Sequence, residues 1–360
     1  MTPARRWWLV AAAVALVIGV PLAARSRPVS APSVSASSLL ASVRAGLHHP
    51  YSGRATMVGN LDLPVTSRFS DVGSLLGERT TVRVWWRSAS HWRVDNLLAT
   101  GEDDLVHDGG LTTRWSYEAA HAVRSADPDV RLPRSADLVP PSLAARVVQG
   151  AGPRSVVRLP ARRVAGVSAP GLRVTPSDQR SSIDHVDLWA DPVTGLVLRL
   201  EVYGPHDATP SFQTAFDAVS FARPGLAVTR FVRPPGVTVS FDNVLDIADA
   251  ANQYAPLEPP AVVAGLRRAP TPRGGVGVYG SGLSRLLVIP LRRRDADGLR
   301  TQLQRSAGAI SQQQGVSLYA GPLGVIVTEA RHGSWLVAGT VTQKTLLDAV
   351  ADLDEGATLR

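Results

Sequence analysis

The most constraining feature of the sequence is a stretch in which apolar and polar residues alternate on both sides of a turn. It reads HVDLWADPVTGLVLRLEVYG over residues 185–204. In the middle, Pro192 fixes its own φ and Gly195 tolerates a positive φ, so the segment predicts a β-hairpin. The apolar side chains predicted to share one face of each strand are Val186, Leu188 and Ala190 before the turn, and Leu196, Leu198, Leu200 and Val202 after it.

The same period of two recurs elsewhere and predicts an antiparallel meander. The strand-forming runs are TTVRVWWRS (80–88), HWRVDNL (91–97), DLVHDGGLTTRWSYE (104–118), SVVRLPARRVAGVSAPGLRVTPSD (155–178) and SFQTAFDAVSFA (211–222). In the first run, Val82, Val84 and Trp86 are predicted to share one face and Arg83, Trp85 and Arg87 the other. The third run is predicted to turn at Asp108, and its return strand to carry Trp115 and Tyr117 on one face.

Helical spacing predicts two short helices in the first part of the chain, SSLLASVRAGL (37–47) and PPSLAARVVQG (140–150). A second α+β unit follows, with strands SRLLVIPL, GVIVTEA and SWLVAGTV and with helices over 295–311 and 342–353, the latter capped by Thr342. We therefore expect an α+β fold with one domain over residues 38–240, a Pro-rich linker over 241–275 and a small domain over 276–360.

The N-terminus predicts export. Arg5 and Arg6 precede a run without charge from Trp7 to Ala24, which is long for a signal peptide and just long enough to span a membrane. Leu22 fits a cleavage site poorly, which favours an uncleaved signal anchor over a cleaved signal peptide within residues 1–24. A Pro/Ser-rich spacer follows over 25–37. We expect a single-pass membrane protein whose bulk is extracytoplasmic, or a secreted form if the segment is cleaved.

Composition excludes several functions. The net charge of +8 would suit nucleic acid or an anionic membrane. However, the positive charge is almost entirely arginine, with Lys344 the single lysine, and it is scattered along the chain, so we expect no nucleic-acid binding. The sequence contains no cysteine. This excludes disulfides, thiolate metal sites, cysteine nucleophiles and a lipid-modified cysteine.

No motif predicts catalysis, a metal or a cofactor. His185 and Asp187 would share a strand face, but a solvated face opposite Val186 explains them as well. His48 and His49 are adjacent and would point apart. The segment YGSGLS (279–284) lacks the spacing of a nucleophile elbow. The segment GEDD (101–104) is acidic but short, and we interpret it as a loop. An exported hydrolase remains the third alternative, and it would require His185, Asp187 and a serine to converge in one cleft.

Tryptophan is the most informative residue type in this chain. Several lie on predicted strands, and the adjacent Trp85 and Trp86 put a large ring on both faces of one strand. Such a sheet must be covered on both faces or must line a cavity for an apolar ligand or a partner segment. The residues predicted to line this cavity are Trp85, Trp86, Trp92, Trp115, Tyr117 and Trp189.

Several motifs resemble the RseB/MucB proteins, periplasmic regulators of an envelope-stress anti-sigma factor. The matching segments are RRVAGVSAPGLRVTPSD, LWADPVTGLVLRLEVYG and FQTAFDAVSF, and more weakly YSGRATMV from Tyr51. WWRSASHWRVD and DGGLTTRWSY resemble the related lipoprotein carriers of the LolA type. VYGSGLSRLLVIPL and the segment over 321–353 resemble the small second domain of RseB. The resemblance covers most of the chain between residues 45 and 353.

The resemblance implies an antiparallel half-barrel over a helix, joined to a small C-terminal domain, in a protein that binds rather than catalyses. Proteins of the RseB type bind the extracytoplasmic part of an anti-sigma factor and respond to lipid-like ligands, and LolA-type proteins carry lipids or lipoprotein acyl chains. The second domain favours a regulator that binds an anti-sigma factor or another envelope protein. The alternative is a lipid or lipoprotein carrier. This chain differs from the family in its predicted anchor and in its lack of a cysteine for lipid attachment.

Overall fold

The computed structural model describes residues 29, 31–61, 70–98, 101–128, 130–241, 247, 251, 257–270, 275–328 and 333–359. The predicted signal anchor lies outside these residues, as do residues 25–28 and 30 of the predicted spacer. Among the described residues, no helix has both the length and the apolar character needed to cross a membrane.

A twelve-stranded open sheet dominates the structure. Its strands, in chain order, are β1 (Tyr51–Gly59), β2 (Arg79–Ser88), β3 (His91–Leu97), β4 (Glu102–Asp108), β5 (Leu111–Ser116), β6 (His121–Ala126), β7 (Val156–Val164), β8 (Val167–Val174), β9 (His185–Ala190), β10 (Val197–Tyr203), β11 (Phe212–Ser220) and β12 (Thr238–Phe241). Their order across the sheet is β12-β6-β5-β4-β3-β2-β1-β11-β10-β9-β8-β7. All neighbours are antiparallel except β12 and β6.

Helices cover one face of this sheet, which we call the helix face. They are α1 (Ala36–Gly46), α2 (Ser70–Gly77), α3 (Ser135–Leu138) and α4 (Pro140–Gln149). Leu39, Leu40 and Val43 of α1 and Val147 of α4 are buried in one core with strand residues such as Leu188. The sequence predicted α1 and α4, including the end of α4 at Gly150, but it did not predict α2 or α3.

A β-bulge corrects one prediction about the opening hairpin. Val197 pairs with Ala190 and Arg199 pairs with Trp189, so the register shifts at Leu198. An inserted residue reverses the facing of the side chains that follow it. Val197 and Leu200 pair with Ala190 and Leu188, and both pack in the core beneath α1 and α4, so Leu196 next to Val197 faces away from Leu200. The predicted common face for Leu196, Leu198, Leu200 and Val202 is therefore wrong.

The other face, which we call the outer face, is rich in arginine–carboxylate pairs. Asp187 accepts two hydrogen bonds from Arg173 at 2.7 and 2.8 Å, and Glu201 binds Arg199 and Arg162. Farther along the sheet, the segment over 222–237 crosses this face. Three outer-face residues contact it: Arg87 donates to the Pro224 carbonyl at 2.7 Å, Asp108 lies 3.7 Å from Arg230, and Trp115 packs on Phe231.

A six-stranded sheet forms the second part of the structure, in the order β16-β17-β21-β20-β19-β18. Its elements are β16 (Gly277–Ser281), β17 (Ser284–Leu291), α5 (Arg293–Gln304), β18 (Ile310–Gln312), β19 (Gly315–Ala320), β20 (Leu323–Thr328), β21 (Ser334–Gly339) and α6 (Gln343–Gly356). Thr342 caps α6, as predicted, because its hydroxyl accepts a hydrogen bond from the Thr345 N–H. The helix predicted over 295–311 ends earlier, at Gln304, and β16, β18 and β19 were not predicted.

Three two-residue strands and the C-terminus complete this part. They are β13 (Leu257–Glu258), β14 (Val262–Val263) and β15 (Leu266–Arg267), and β22 (Thr358–Leu359) pairs with β13. Leu257, Val263 and Leu266 are buried in the same core as α6. The described middle of the predicted linker therefore packs on the second sheet.

Backbone hydrogen bonds join the two sheets. Ser181 and Val341 form an antiparallel bridge, the Ser182 N–H donates to the Thr340 carbonyl at 3.2 Å, and the Thr342 N–H donates to the Arg180 carbonyl at 2.8 Å. The Ser182 hydroxyl also donates to the Pro322 carbonyl. The loop before β9 is thus bound along its backbone to the end of β21, which holds the second sheet against the first.

Candidate functional site

The six aromatic residues predicted to line a cavity lie in four separate places. Trp86 and Trp92 are on the helix face, and Trp85 is on the outer face of the same strand as Trp86. Trp115 and Tyr117 lie near the far end of the sheet, beside Phe231. Trp189 lies near the opposite edge, on β9. The structure therefore brings Trp86 and Trp92 together, and Trp115 and Tyr117, but it does not gather the six residues around one space.

An aromatic ladder crosses four neighbouring strands on the helix face. Its rings belong to Tyr51 on β1, Trp86 on β2, Trp92 on β3 and His107 on β4, and each pair lies directly opposite in the strand register. The ring centroids are 6.2, 5.8 and 5.3 Å apart, and successive planes are within 11° of parallel. Directly opposed aromatic pairs of this kind stabilise adjacent strands.

Burial varies along the ladder. Tyr51 and Trp92 are buried, whereas Trp86 and His107 are partly exposed. Burial raises the pKa of the Tyr51 hydroxyl, so that ring stays neutral. Phe216 packs edge-on against Tyr51, and residues of α3 share the same core. The ladder is therefore a packed wall with two partly accessible rings, Trp86 and His107.

His107 ends the ladder as a neutral imidazole. Its Nδ1 lies 3.0 Å from the Thr112 hydroxyl, which donates its hydrogen to Asp127 at 2.9 Å. Because that hydroxyl hydrogen is already used, the Thr112 oxygen accepts from Nδ1–H, which leaves Nε2 as the acceptor nitrogen. Burial lowers the pKa of His107 although Asp127 partly opposes this effect. A neutral ring stacks on Trp92 without bringing a charge to the apolar ladder.

Trp85 lies on the outer face between two arginines. The guanidiniums of Arg83 and Arg93 are 5.9 and 5.7 Å from the centroid of its ring, within the range of cation–π contacts. Both arginines also bind carboxylates of the same surface: Arg93 binds Asp95 and Asp104, and Arg83 binds Glu102. The ring therefore covers a charged cluster rather than an apolar pocket.

The carboxylates of this cluster form the one group of acidic side chains in the described residues with the spacing of a cation site. Oxygens of Asp95, Glu102 and Asp104 lie within 4.8 Å of one another. Two guanidiniums already contact them at 2.5–2.7 Å and supply most of the balancing charge. We therefore assign no metal to the cluster. GEDD, interpreted from the sequence as a loop, supplies two of these carboxylates from strand β4, so that interpretation is wrong.

Of the remaining predicted aromatic residues, Trp189 and Trp115 are buried and serve packing, whereas Tyr117 is largely exposed. Trp189 is 2% exposed, its indole N–H donates to the Pro160 carbonyl at 3.1 Å, and Arg162 lies 4.1 Å above its ring. Trp115 is buried against Phe231 beneath the segment that crosses the outer face. Tyr117, in the turn after β5, is 67% exposed and touches Trp115 edge-on.

The polar residues considered for catalysis are engaged in structural contacts. Asp187 is bound by Arg173 through both oxygens, and His185 stacks on Tyr203 with its Nδ1 2.6 Å from Asp184. His49 Nδ1 lies 2.6 Å from the Pro50 carbonyl. The segment over 279–284 forms the turn between β16 and β17, and its Ser284 is buried. No serine is placed with His185 and Asp187 by any contact in the described part of the chain.

A shallow, open depression lies between α1 and α4, with a volume of about 390 Å³. Its lining consists of Arg44, Leu47, Ala145, Arg146, Val148 and Gln149. Arg44 donates to the Val148 and Ala151 carbonyls and so caps the end of α4. Gln149 accepts a hydrogen bond from Arg285 of the second sheet at 3.3 Å. This is the described surface at which the helices approach the second sheet.

Sequence reasoning missed Tyr51 and His107 as members of the ladder, and Asp95 and Asp104 as a buried pair. The signal was present in the strand register, because each of these residues is directly opposite its partner on the next strand. The register between two strands depends on the length of the turn and on bulges. For β3 and β4 the residue pattern alone does not predict either of these.

Comparison with known proteins gives structural neighbours only. No family model matches the chain. No curated protein matches it in sequence. A chain from the MucA/MucB complex of Pseudomonas aeruginosa is similar at 17% identity and a TM-score of 0.48, over 88% of this chain and 96% of that chain. A structure of MucB is similar at 16% identity and a TM-score of 0.47, over 90% of this chain and 98% of that chain.

A LolA superfamily protein from Nitrosomonas europaea is similar over 55% of this chain and 99% of that chain, at 10% identity and a TM-score of 0.26. Structures of MucB and of a LolA superfamily protein are thus among the solved structures to which this chain is similar.

Proposed function

We propose that this chain is an extracytoplasmic, membrane-anchored binding protein of the RseB type, a regulator that binds an envelope protein such as an anti-sigma factor and that also responds to lipid. The observation that supports the proposal most is the set of backbone hydrogen bonds between the two sheets, which we call the join. Ser181, Ser182 and Thr342 fix the second sheet to the first through backbone hydrogen bonds. A carrier of lipids needs no second domain, whereas a regulator that presents a composite surface to a protein does.

The packing of the helix face supports a protein partner over a lipid cargo. A carrier needs an open apolar cavity that encloses much of its ligand. Here the aromatic ladder packs against the core that includes α3, and Tyr51 and Trp92 are buried within it. The partly exposed rings of Trp86 and His107 are the surface at which we place the response to lipid. The LolA-like carrier is the second candidate, favoured by the number of aromatic residues on strands.

The proposal excludes catalysis for the polar residues of the outer face. A general base must be free to accept a proton from a substrate. Asp187 and Glu201 are instead each bound by arginine, and the pKa of Glu201 is lowered although burial opposes this, because Tyr203 and Arg199 hydrogen-bond to it. Both carboxylates are held in ion pairs by arginine.

The anchor is part of the proposal. The run from Trp7 to Ala24 carries no charge and follows Arg5 and Arg6. Resistance of the full chain to alkaline extraction from membranes, together with its digestion by protease added outside intact cells or spheroplasts, would support it. Complete release by alkaline extraction would contradict the anchor but leave the binding function standing.

The binding proposal is tested by partner capture with matched variants. Ser182 is buried at the join, so Ser182→Lys would separate the sheets, whereas Gln304→Lys adds the same charge at an exposed position of α5. The full-length tagged chain would be expressed in its own host and purified from membranes in mild detergent. We expect a stoichiometric membrane-protein partner with wild type and with Gln304→Lys, and at least a tenfold loss with Ser182→Lys.

Circular dichroism would check that both variants retain their sheets. Binding of the identified partner would then be measured with purified components. Equal capture by all three proteins would refute a composite surface, and a lipidated protein or lipid recovered in place of a protein partner would establish the carrier.

A further inference from the structure

Two buried aspartates face each other across neighbouring strands of the large sheet. Asp95 on β3 is directly opposite Asp104 on β4, and the two residues are 1% and 4% exposed. Their carboxyl groups are within hydrogen-bonding reach of each other. Two carboxylates this close repel when both are ionised and buried, so the sheet must compensate for that repulsion.

The surrounding charges compensate incompletely. Arg93 contacts both groups, with Nε 2.6 Å from Asp95 and Nη2 2.7 Å from Asp104. Arg83 from β2 lies 3.3 Å from Asp95 and 2.5 Å from Glu102. The two other elements beside the two aspartates bring no charge to them. Strand β5 places Trp115 opposite Asp104. The 3₁₀ helix Leu226–Thr229 packs on β2, β3 and β4 and contains no charged residue. Three carboxylates therefore meet two guanidiniums, which leaves one negative charge uncompensated.

Two buried carboxylate oxygens are the positions at which a compensating proton would bind. Asp95 Oδ2 and Asp104 Oδ1 are buried and accept no hydrogen bond from the described residues, although Arg83 Nη2 forms an ion pair with Asp95 Oδ2 at 3.3 Å. An unpaired buried carboxylate oxygen is costly. A single proton on one of them would donate to the other carboxyl group, satisfy both residues and bring the net charge of the cluster to zero.

We propose that Asp95 and Asp104 share one proton at neutral pH, as a carboxylic acid paired with a carboxylate, and that this pair forms a pH-sensitive lock between β3 and β4. Loss of the proton leaves two facing negative charges beneath Trp85 and beside the segment that crosses the outer face. The lock thus makes the centre of the large sheet responsive to alkaline conditions.

The acidity of the two groups agrees with this geometry. Burial, followed by the negative charge of Asp95, raises the pKa of Asp104 to about 8. Burial also raises the pKa of Asp95, against the opposing effect of Arg93. Because the two groups titrate together, the proton belongs to the pair.

Infrared spectroscopy of the full-length chain in non-denaturing detergent, with ¹³C-carboxyl-labelled aspartate, tests the proposal directly. The isotope shift identifies the carbonyl stretch of a protonated aspartic acid. We expect a band equivalent to one group per chain at pH 6, lost in a titration centred near pH 8. The band should be absent from Asp104→Asn, whose amide can donate to Asp95. It should be retained at pH 6 in the matched control Asp103→Asn, which removes a carboxylate of the same strand that pairs with Arg114 outside the cluster.

Three results would overturn the proposal. One is the absence of the band at pH 6 in folded wild-type protein, a result that does not depend on any variant folding. Another is persistence of the full band in both Asp104→Asn and Asp95→Asn. The last is displacement of the band by millimolar Ca²⁺ together with stabilisation of the wild type, which would reassign the cluster to a cation.

Discussion

Replacing Gly195 by alanine should loosen the contact between the central hairpin and α1. Gly195 lies in the turn before β10 with φ of +73°, and a Cβ atom there would lie 2.0 Å from the Ser42 carbonyl oxygen of α1. The positive φ alone costs alanine about 1–2 kcal/mol. Relieving the clash requires α1 to move away from the sheet.

The cost of that movement follows from what α1 buries. Leu39, Leu40 and Val43 are 2%, 2% and 0% exposed. Burying one such side chain contributes about 1.5–3 kcal/mol, so exposing the equivalent of one of them adds about 2 kcal/mol to the backbone strain. We expect Gly195→Ala to lower the free energy of unfolding by about 3–4 kcal/mol in total.

Gly166→Ala is the matched control. Gly166 has φ of +83° in the turn between β7 and β8, and its Cβ would meet no atom within 4 Å. This variant carries the backbone strain without the clash, and should lose only about 1–2 kcal/mol. Urea unfolding of the full-length chain, followed by far-ultraviolet circular dichroism, measures both. Equal losses in the two variants would refute the reasoning that the turn supports α1.

Three further predictions concern single contacts. Trp189→Phe should cost about 2–3 kcal/mol in urea unfolding, because the Pro160 carbonyl loses its donor and the smaller ring leaves a void; a loss below about 0.5 kcal/mol would contradict the packing role of Trp189. Thr342→Ala should cost about 1 kcal/mol and Thr342→Ser almost nothing, because only alanine removes the cap of α6, and equal losses would exclude capping as the cause. The free energy of unfolding should fall as pH rises from about 4 to 8, by up to about 1.4 kcal/mol per pH unit. The reason is that burial raises the pKa of Asp104 from 3.8 to about 8, so in this range the unfolded chain has released a proton that the folded chain still holds. Asp104→Asn should flatten this slope, and an unchanged slope would assign it to other groups.

The sequence predicted the hairpin strands because alternation and turn chemistry are local, whereas β6, β12, β16, β18 and β19 were not predicted. The hairpin turn at Asp108–Gly110, the capping of α6 by Thr342 and the end of α4 at Gly150 all depend on residues close in the chain. The short helices α2 and α3 and the early end of α5 at Gln304 were not foreseen. These elements depend on tertiary packing rather than on a long periodic pattern.

The candidate site was harder to predict because it depends on register. Trp85 and Trp86 were correctly expected on opposite faces of one strand, but one faces an aromatic ladder and the other a charged cluster. The partners Tyr51, His107 and Asp104 come from neighbouring strands, and the bulge at Leu198 changes facing within β10. Alternation identifies the faces of one strand but does not show which residues of the next strand oppose them.

The central claim is that the chain binds a protein partner instead of carrying lipid. The most direct test is native mass spectrometry of the full-length chain, isolated from the membranes of its own host in mild detergent, followed by organic extraction of the same sample. We predict a stoichiometric complex with a membrane protein, and lipid well below one molecule per chain. One lipid or lipoprotein per chain with no protein partner would contradict the account and identify a carrier.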